Sequence, residues 1–453
     1  MAEVYPFIGT RYNSQLIGNL ARVVSPPYES AGAELQQELY DRHEHNVIRI
    51  EHAVTGGEDD SFSNRFTRAA NTLATWRSDG IFIEDERPSF YVYQQEYRGA
   101  DGAPVTRLGF FAKIKLHESA TDYESSGHPL GDRVDLLNLL RATKANISPI
   151  VSLFDDANSA VADVLAVRMQ DKPWEEFTDE ENVTHRLWVL QKKDMVLSIV
   201  DSLKQAELYI ADGQHRYIAA QIYRDEMRQE TGKTDGKQPF DYAMALLVPV
   251  QQPHVQFNAV HRALTKSVMA DVDLRDALEE LEENFEVTKS KIALTNVCEE
   301  AQQVQQELER LSADAPTVAL IHASGMVCYL QLNAGTDLTE LYDDETLPPD
   351  LAGMDSSILH NYIINQVMIG NPEYQLESDE CLFVESAEQL LTLLQKRKAQ
   401  CGFVLRPITV DRMMEIARTT PILPLENTAI TPSPVTGLVL RNMTTDVIKP
   451  VRK

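Results

Sequence analysis

The sequence predicts a mixed α/β protein built in two parts, and three observations lead to this fold class. The chain has 453 residues, a length that favours two or three domains with large cores. Short apolar runs alternate with segments of helical spacing along most of the chain. A polar loop at 230–238 and the segment just after Val250 are the natural boundaries. We therefore expect an N-terminal domain at 1–250 and a second α/β domain at 251–453.

The beginning of the chain is predicted to be irregular as far as residue 30 and then to alternate between helix and strand. The double proline Pro26-Pro27 forbids a helix at that point. Between 62 and 79 the apolar residues recur at helical spacing, and Gly80 ends the run. The predicted elements here are a helix at 33–43, a strand at 47–50 and a helix at 62–79.

The middle of the chain predicts a hairpin followed by alternating helices and strands. Glycines at 99 and 102 supply turn residues between two strand-like runs. Residues 242–250 form a continuous apolar run, which is typical of a buried strand. The predicted strands are 90–93, 108–116, 183–190, 208–211 and 242–250, and the predicted helices are 132–143, 194–206 and 218–230.

The second half alternates more regularly, as a further α/β domain would. The predicted helices are 269–284, 295–312, 354–368, 386–397 and 410–418. The predicted strands are 285–288, 317–321, 327–332, 381–385, 401–406 and 436–440.

Composition limits the partners of the chain. Lys and Arg number 42 and Asp and Glu number 69, so the net charge is 42 − 69 = −27. Such an acidic chain is repelled by nucleic acid and by anionic membranes, so neither is expected as a partner. The first residues lack a signal-peptide pattern, no apolar run approaches the ~20 residues of a membrane span, and the four cysteines show no metal-ligand spacing. We expect a cytoplasmic protein, and self-association as a homodimer is left open.

The segment Asp212-Gly213-Gln214-His215-Arg216-Tyr217 is the most informative motif. It lies between an apolar strand-like run and a helix, and such turns hold anions because the first turn of a helix offers free N–H groups and the positive end of the dipole. His215 and Arg216 add donors and a charge that suits phosphate. Asp212 could bind a metal ion or a substrate amine, or it could cap the helix, since Asp-Gly is also ordinary turn chemistry.

Several other motif classes are missing from the sequence. It contains no Gly-x-Gly-x-x-Gly, no Gly-Lys-Ser/Thr phosphate loop, no Gly-x-Ser-x-Gly and no His-Glu-x-x-His. Dinucleotide redox chemistry, Walker-type hydrolysis, serine hydrolysis and zincin proteolysis therefore lose support.

A set of short motifs, in this order, resembles the uncharacterised family catalogued as domain of unknown function 1015. The motifs are at 6–7, 11–13, 26–29, 45–49, 66–70, 132–133, 140–143, 146–150, 184–188, 212–217, 261–262, 405–407 and 436–439. The chain departs from the pattern of that family where chemistry is expected. Gln214 replaces a His of the signature, Glu29 replaces an Asp, 127–130 lacks a His-Glu-x-Thr segment, and Glu426 replaces a Lys.

The signature also resembles the phosphate loop of the ParB and sulfiredoxin superfamily, one branch of which comprises free-serine kinases. This resemblance implies a nucleotide-binding region in the N-terminal half. His215 and Arg216 would bind the β- and γ-phosphates of ATP or ADP together with Gly213, and Asp212 would orient substrate or Mg²⁺. Gln214 retains an amide donor but cannot titrate as a His does.

The remaining candidate site residues lie earlier in the chain. Glu29, beside the rigid proline pair, is the candidate general base, and the alternative is a solvated loop carboxylate. Arg186 could reach the phosphate loop, because only one helix separates its predicted strand at 183–190 from that loop in the sequence. The residues expected to line a shared substrate cleft are Arg11, Asn13, Tyr28 and Asn46.

Two functions compete on this reading of the sequence. The first is a nucleotide-dependent phosphotransferase that acts on a small hydroxyl metabolite such as a free amino acid, with Glu29, Asp212 and His215 as catalytic residues. The second is a non-catalytic protein that binds a nucleotide or a phosphorylated metabolite, which the departures at Gln214 and Glu426 favour. A DNA-partitioning function is disfavoured by the net charge of −27.

Overall fold

A computed structural model describes most of the chain, and its architecture is mixed α/β as the sequence predicts. The described residues are 2–27, 33–99, 102–117, 130–252, 257–270, 272–312, 315–342, 349–372, 374, 376, 380–384, 386–419 and 429–446. Within them, every helix is too short or too polar to cross a bilayer.

The strands are numbered in chain order. They are β1 Val4–Tyr5, β2 Gly9–Tyr12, β3 Phe82–Glu84, β4 Phe90–Arg98, β5 Pro104–Lys115, β6 Ala145–Asn146, β7 Ile150–Phe154, β8 Glu175–Thr178, β9 Thr184–Leu190, β10 Leu208–Asp212, β11 Tyr242–Pro249, β12 Phe257–Asn258, β13 His261–Leu264, β14 Phe285–Lys291, β15 Thr317–His322, β16 Met326–Leu332, β17 Cys381–Val384, β18 Cys401–Val404, β19 Ala429–Ile430 and β20 Leu440–Asn442.

The helices are numbered in the same way. They are α1 Ser14–Ile17, α2 Ala33–Arg42, α3 Ile48–Glu51, α4 Arg65–Ser78, α5 Leu130–Thr143, α6 Ala160–Met169, α7 Lys193–Leu203, α8 Gln214–Thr231, α9 Lys266–Met269, α10 Leu274–Leu281, α11 Val297–Leu311, α12 Leu338–Tyr342, α13 Pro349–Ala352, α14 Asp355–Ser357, α15 Ala387–Gln395 and α16 Val410–Thr419. Short 3₁₀ helices at Leu20–Arg22 and Pro239–Asp241 and a π-helix at Ile358–Ile369 complete the set.

The chain forms two compact units. The first contains the described residues within 1–121, 132–255 and 432–453, and the second contains those within 122–131 and 256–431. The predicted boundary after Val250 is close to the observed division at 255–256. The prediction that 251–453 forms one domain is wrong at its end, because the last segment returns to the first unit.

The first unit is built on a large twisted sheet. Its strand order is β10-β7-β11-β5-β4-β9-β8, with β1 added beside β5. All of these pairs are antiparallel except β11 with β7. Every residue of β11 is buried, as its continuous apolar sequence predicts for a central strand. A smaller sheet in the order β3-β2-β20-β6 accompanies it.

The last described segment, 432–446, is an integral part of this unit. It contributes β20, and it places Arg441 and Asp446 among fully buried side chains. Asp446 accepts hydrogen bonds from the Lys113 ammonium at 2.8 and 2.9 Å and from Arg441 Nε at 2.7 Å. Burial alone would raise the pKa of Asp446, but the two cations outweigh it and lower that pKa. A buried ion cluster therefore ties the end of the chain to β5.

The second unit has its own six-stranded sheet in the order β14-β16-β15-β18-β13-β17. Its neighbouring strands pair antiparallel. The large apolar cluster on this sheet includes Leu320, Phe403, Leu359 and Ile363, the last two from the π-helix. The helix predicted at 354–368 is present, but most of it winds as a π-helix.

The strand predicted at 47–50 is wrong. Residues 48–51 form the helical turn α3, although Val47, Ile48 and Ile50 are β-branched. The side chain of Asn46 accepts a hydrogen bond from the Ile48 amide at 3.0 Å and forms a turn just before α3, whose N-cap residue is Val47. A local hydrogen bond from side chain to backbone therefore favours a turn over a strand at this point.

Candidate functional site

The signature segment lies where β10 meets α8, as the sequence predicts. Asp212 is the last residue of β10, and the register against β7 shifts between Ile210 and Asp212. Gly213 adopts φ +79° and ψ +31°, a left-handed conformation, and α8 begins at Gln214. A β-carbon at Gly213 would lie 3.1 Å from Arg216 Cζ and 3.2 Å from Ile150 Cα. Both the backbone conformation and the close packing therefore require glycine.

The turn leads into a long helix, α8, of 18 residues. The Tyr217 amide bonds to the Gly213 carbonyl at 3.0 Å and closes the first helical turn. The three amides before it, at 214–216, have no acceptor within the helix by helix geometry. The first turn contains no acidic residue, so no carboxylate of its own offsets the positive end of the helix dipole. The local arrangement is one that attracts an anion.

Arg216 folds back over the glycine turn. Its Nη1 donates a hydrogen bond to the Pro149 carbonyl, and its Nη2 lies 3.8 Å from Asp212 Oδ1. The side chain is only 10% exposed. The guanidinium is therefore held against the Pro149 carbonyl, and its contact with phosphate remains a prediction. Asp212 does not cap the helix; Gly213 occupies the cap position, and Asp212 faces Arg216.

Gln214 and His215 are both buried, although they open the helix. Gln214 is 4% exposed and His215 is 7% exposed. The Gln214 side-chain Nε2 has no hydrogen-bond partner within the described part of the chain. A buried donor left in this state costs about 1–3 kcal/mol relative to a satisfied one. An acceptor on a ligand would recover that free energy.

Arg216 also lines a cavity of about 40 Å³ in the first unit. The other polar residues of its wall are Glu51, Asn146 and Ser148, and Glu51 is 4% exposed. The apolar part of the wall is formed by Leu136, Leu139, Leu140, Ala145, Ile147, Ile150, Ala219 and Met244. Because a single water needs about 10–15 Å³ on this measure, the cavity is too small for a whole nucleotide. It brings a carboxylate and a guanidinium to one space.

Three residues expected to line a substrate cleft have structural partners instead. Arg11 donates from Nε to Asp85 at 3.0 Å and stacks 3.7 Å over the Trp174 ring. Asn13 caps α1, and its amide bonds to the Gly80 carbonyl at 3.2 Å. Asn46 donates to the carbonyls of residues 22 and 24. The wall of the Arg216 cavity includes none of these three side chains. Their role in this structure is to fix backbone segments.

Arg186 is placed far from the loop, and the expected contact is corrected. It lies on β9, and four strands separate β9 from β10 in the sheet. At ~4.8 Å per strand the separation is roughly 24 Å. Arg186 is instead held between Glu96, at 2.7 Å, and Glu176, at 2.6 Å. Adjacency in sequence did not predict the order of the strands.

Some predictions fall outside the described residues. Tyr28 and Glu29 do so, as do 127–129 and Glu426. Among the described residues, no three or more His, Cys, Asp or Glu side chains stand close enough to hold a metal ion. The metal role of Asp212 and the base role of Glu29 remain predictions.

The sequence reasoning missed three members of the site. Glu51 and Ser148 line the cavity, and the Pro149 carbonyl holds Arg216. The motif at 146–150 was a signal for Ser148 and Pro149, because it is one of the motifs that resemble the family. It had no assigned role. Glu51 carried no signal, because a Glu at the end of an apolar turn resembles any surface carboxylate.

A second set of hydrogen-bonded polar side chains lies on β4, on β9 and in the turn between β8 and β9. The Tyr93 hydroxyl is 2.7 Å from His185 Nδ1, and His185 Nε2 is 2.9 Å from Asp179 Oδ2. Burial raises the pKa of Tyr93, so its hydroxyl stays protonated. Burial opposes ionisation of Asp179 as well, but the bonds from His185 and the Val183 amide outweigh it and lower the pKa. This group fixes the β8–β9 turn.

Comparison with known proteins gives a family and a distant structural likeness. The model of a family described as a protein of unknown function, DUF1015, matches residues 4–338. No curated protein matches the chain in sequence. A solved structure of a free serine kinase, a glutamate-to-glutamine mutant in complex with AMP, aligns over 70% of this chain and 82% of that chain. The identity is 14% and the TM-score is 0.32. The chemistry of the site therefore has to follow from its own residues.

Proposed function

The chain belongs to the DUF1015 family, and we propose that it is a nucleotide-dependent phosphotransferase that acts on a small hydroxyl metabolite. The observation that carries this proposal is the turn at 212–216. A left-handed glycine leads from a strand into a long helix whose first amides have no acceptor within the helix. This is the local geometry that binds phosphate in proteins.

The groups around the turn support phosphate as the anion. Arg216 is fixed beside the turn by its hydrogen bond to the Pro149 carbonyl, and a guanidinium is a permanently charged group that suits phosphate. The buried amide of Gln214 adds a further donor. The resemblance of this segment to the ParB and sulfiredoxin phosphate loop agrees with ATP or ADP as the nucleotide.

The charges of the cavity favour a particular class of acceptor. Arg216 and Glu51 line the same small space, and they have opposite charges. A ligand that carries both an ammonium and a carboxylate matches such a wall. A small free amino acid with a hydroxyl, such as serine, has both groups. We therefore propose an amino acid of this size as the phosphoryl acceptor.

The reaction would proceed by direct transfer. The acceptor hydroxyl oxygen bonds to the terminal phosphorus of the nucleotide, and the bond from that phosphorus to the leaving nucleotide oxygen breaks. Glu29 takes the hydroxyl proton, a role that rests on its sequence position. The loop amides and Arg216 neutralise charge on the phosphoryl oxygens, and Asp212 would hold Mg²⁺, which supplies further neutralisation when bound.

A non-catalytic function is the second candidate, and two observations favour it. Gln214 stands at a position where a His would offer a proton relay, and a carboxamide cannot transfer protons in this way. The Arg216 guanidinium already bonds to the Pro149 carbonyl. A protein with these features could bind nucleotide and stop there, as a regulator does.

One experiment separates the two functions. The full chain is titrated with ATP and with ADP in the presence of Mg²⁺ by calorimetry, and the same mixtures are incubated with a panel of free amino acids. Phosphorus NMR then detects any phosphorylated product. Binding with product supports the phosphotransferase, and binding without product supports the regulator. Absence of binding by well-folded protein rejects both.

A further inference from the structure

Thr436 joins two loops of the first unit. It is fully buried, and its backbone exchanges hydrogen bonds with Ser25, from the Thr436 amide at 2.8 Å and from the Ser25 amide at 3.2 Å. Its hydroxyl lies 2.7 Å from the Ser148 hydroxyl. Thr436 therefore links the segment before Pro26 to the loop at 147–149.

The Ser148 contact leads directly to the candidate phosphate site. Ser148 precedes Pro149, whose carbonyl accepts the hydrogen bond of Arg216 Nη1. Ser148 and Arg216 also line the same cavity. A shift of the Ser148–Pro149 backbone would therefore move the acceptor that orients the guanidinium. The hydroxyl of Thr436 is separated from Arg216 by this short covalent and hydrogen-bonded path.

Other contacts hold the rest of the segment in place without Thr436. Gln95 donates to the Ser433 carbonyl at 3.1 Å, and Arg107 donates to the Pro432 carbonyl. Further along, Asp446 is bound by Lys113 and Arg441. These contacts anchor both ends of the segment 432–446 to the sheet. Removal of the Thr436 hydroxyl alone would leave the segment 432–446 anchored to the sheet. Only the hydrogen bond to the Ser148 hydroxyl would be lost.

We propose that Thr436 is a positioning residue for the phosphate site, which acts through Ser148 and Pro149 on the Arg216 guanidinium. The functional part of this inference rests on the proposed function, because it requires that Arg216 binds phosphate. Thr436 begins the family-like motif at 436–439, and it lies outside the family match at 4–338.

The test compares Thr436→Val, which keeps the shape and removes the hydroxyl, with Thr436→Ser, which keeps the hydroxyl. Hydrogen exchange of the full chain reports the amides of 147–151 and 213–217, and calorimetry reports affinity for ADP. We expect Thr436→Val to exchange faster at both segments and to bind ADP about fivefold more weakly, the effect of one buried hydrogen bond. Thr436→Ser should show the hydrogen exchange and the ADP affinity of the wild type.

The control is Tyr342→Phe, which removes a buried hydroxyl bonded at 2.6 Å to the Ala352 carbonyl in the second unit. It should lower stability without faster exchange at 213–217. Unchanged exchange at both segments in Thr436→Val, or no restoration by Thr436→Ser, would overturn the positioning role. Faster exchange at both segments in Thr436→Val would support the positioning role even if the wild-type protein binds no ADP. Absence of ADP binding by the wild type would reject the proposed function and not the positioning role.

Discussion

Arg216 reaches back from the first turn of α8 to donate a hydrogen bond to the Pro149 carbonyl, one residue before β7 begins. The contact crosses the left-handed glycine turn and keeps the guanidinium beside the first turn of the helix. A cation is thus fixed at the positive end of a helix, where another positive charge raises the electrostatic energy of the folded chain. Asp212 Oδ1, 3.8 Å from Nη2, offsets part of this charge, and an anionic ligand at the turn would offset more of it.

Arg216→Lys should weaken nucleotide binding by about 10- to 100-fold. Lysine keeps the charge but loses the planar fork that contacts Pro149 and a phosphate at once. Calorimetry with ATP and ADP measures the loss. Arg186→Lys is the matched control, because Arg186 pairs with Glu96 and Glu176 and lies on β9, which four strands separate from β10 in the sheet. Equal losses in the two variants would reject the phosphate role of Arg216.

Gly213→Ala should destabilise the protein more than Gly232→Ala. Both glycines are left-handed, with φ of +79° and +70°. A β-carbon at Gly232 would meet no atom within 4 Å, whereas at Gly213 it would lie 3.2 Å from the Ile150 backbone. The conformational cost is about 1 kcal/mol at either site, and overpacking adds about 1–3 kcal/mol at Gly213. Urea unfolding measures the loss in the free energy of unfolding for each variant. Equal losses in Gly213→Ala and Gly232→Ala would contradict the close packing around Gly213.

Gln214→Met should stabilise the ligand-free protein and weaken nucleotide binding. The Gln214 side-chain Nε2 is buried without a hydrogen-bond partner in the described chain, so a methionine of similar shape removes an unsatisfied donor. The expected gain in the free energy of unfolding is about 1 kcal/mol.

Gln221 on the same helix provides the control for this substitution. It is equally buried, but its amide donates to the His117 carbonyl at 3.2 Å. Gln221→Met should therefore lower stability and leave affinity unchanged. If Gln214→Met lost stability as well, the Gln214 amide would have a partner in solution, and its assignment as a ligand donor would be rejected.

The local parts of the site could be predicted from the sequence, because they depend on neighbours in the chain. The apolar run of β10, the glycine turn and the helical spacing of α8 are short-range signals, and the structure has all three. The residues that line the cavity depend on long-range pairing. Glu51 and Ser148 come near Arg216 only through the packing of α3, the 147–149 loop and α8.

Strand order explains the largest error at the site. Arg186 was expected near the loop because a single helix separates the two strands in sequence. In the sheet, β10 pairs with β7 and β9 pairs with β4 and β8. Nothing in local periodicity states which strands become neighbours. For the same reason the return of 432–446 to the first unit could not be predicted, since the residues that bind Thr436 and Asp446 include Ser148 and Lys113, which are 288 and 333 positions away.

The stability of the protein should rise with pH between about 8 and 10.5 through Lys113. Burial lowers the pKa of Lys113 to about 8, from an ordinary value of 10.5, although Asp446 opposes the shift. Between these two values the unfolded chain binds a proton that the native chain does not, so the free energy of unfolding increases as the pH rises. Below pH 8 both states carry the charge, and Lys113 contributes no slope.

Lys113→Met isolates this contribution, because the Arg441–Asp446 pair at 2.7 Å remains to anchor the segment. We expect the stability of the wild type relative to Lys113→Met to be constant from pH 6 to about 7.5. It should then grow by roughly 2–3 kcal/mol towards pH 10, as a shift of this size implies. Urea unfolding at each pH measures the difference, and tyrosine ionisation is common to both proteins. A difference that stays constant across the range would mean that Lys113 keeps its ordinary pKa, and that the segment 432–446 does not seal it from water.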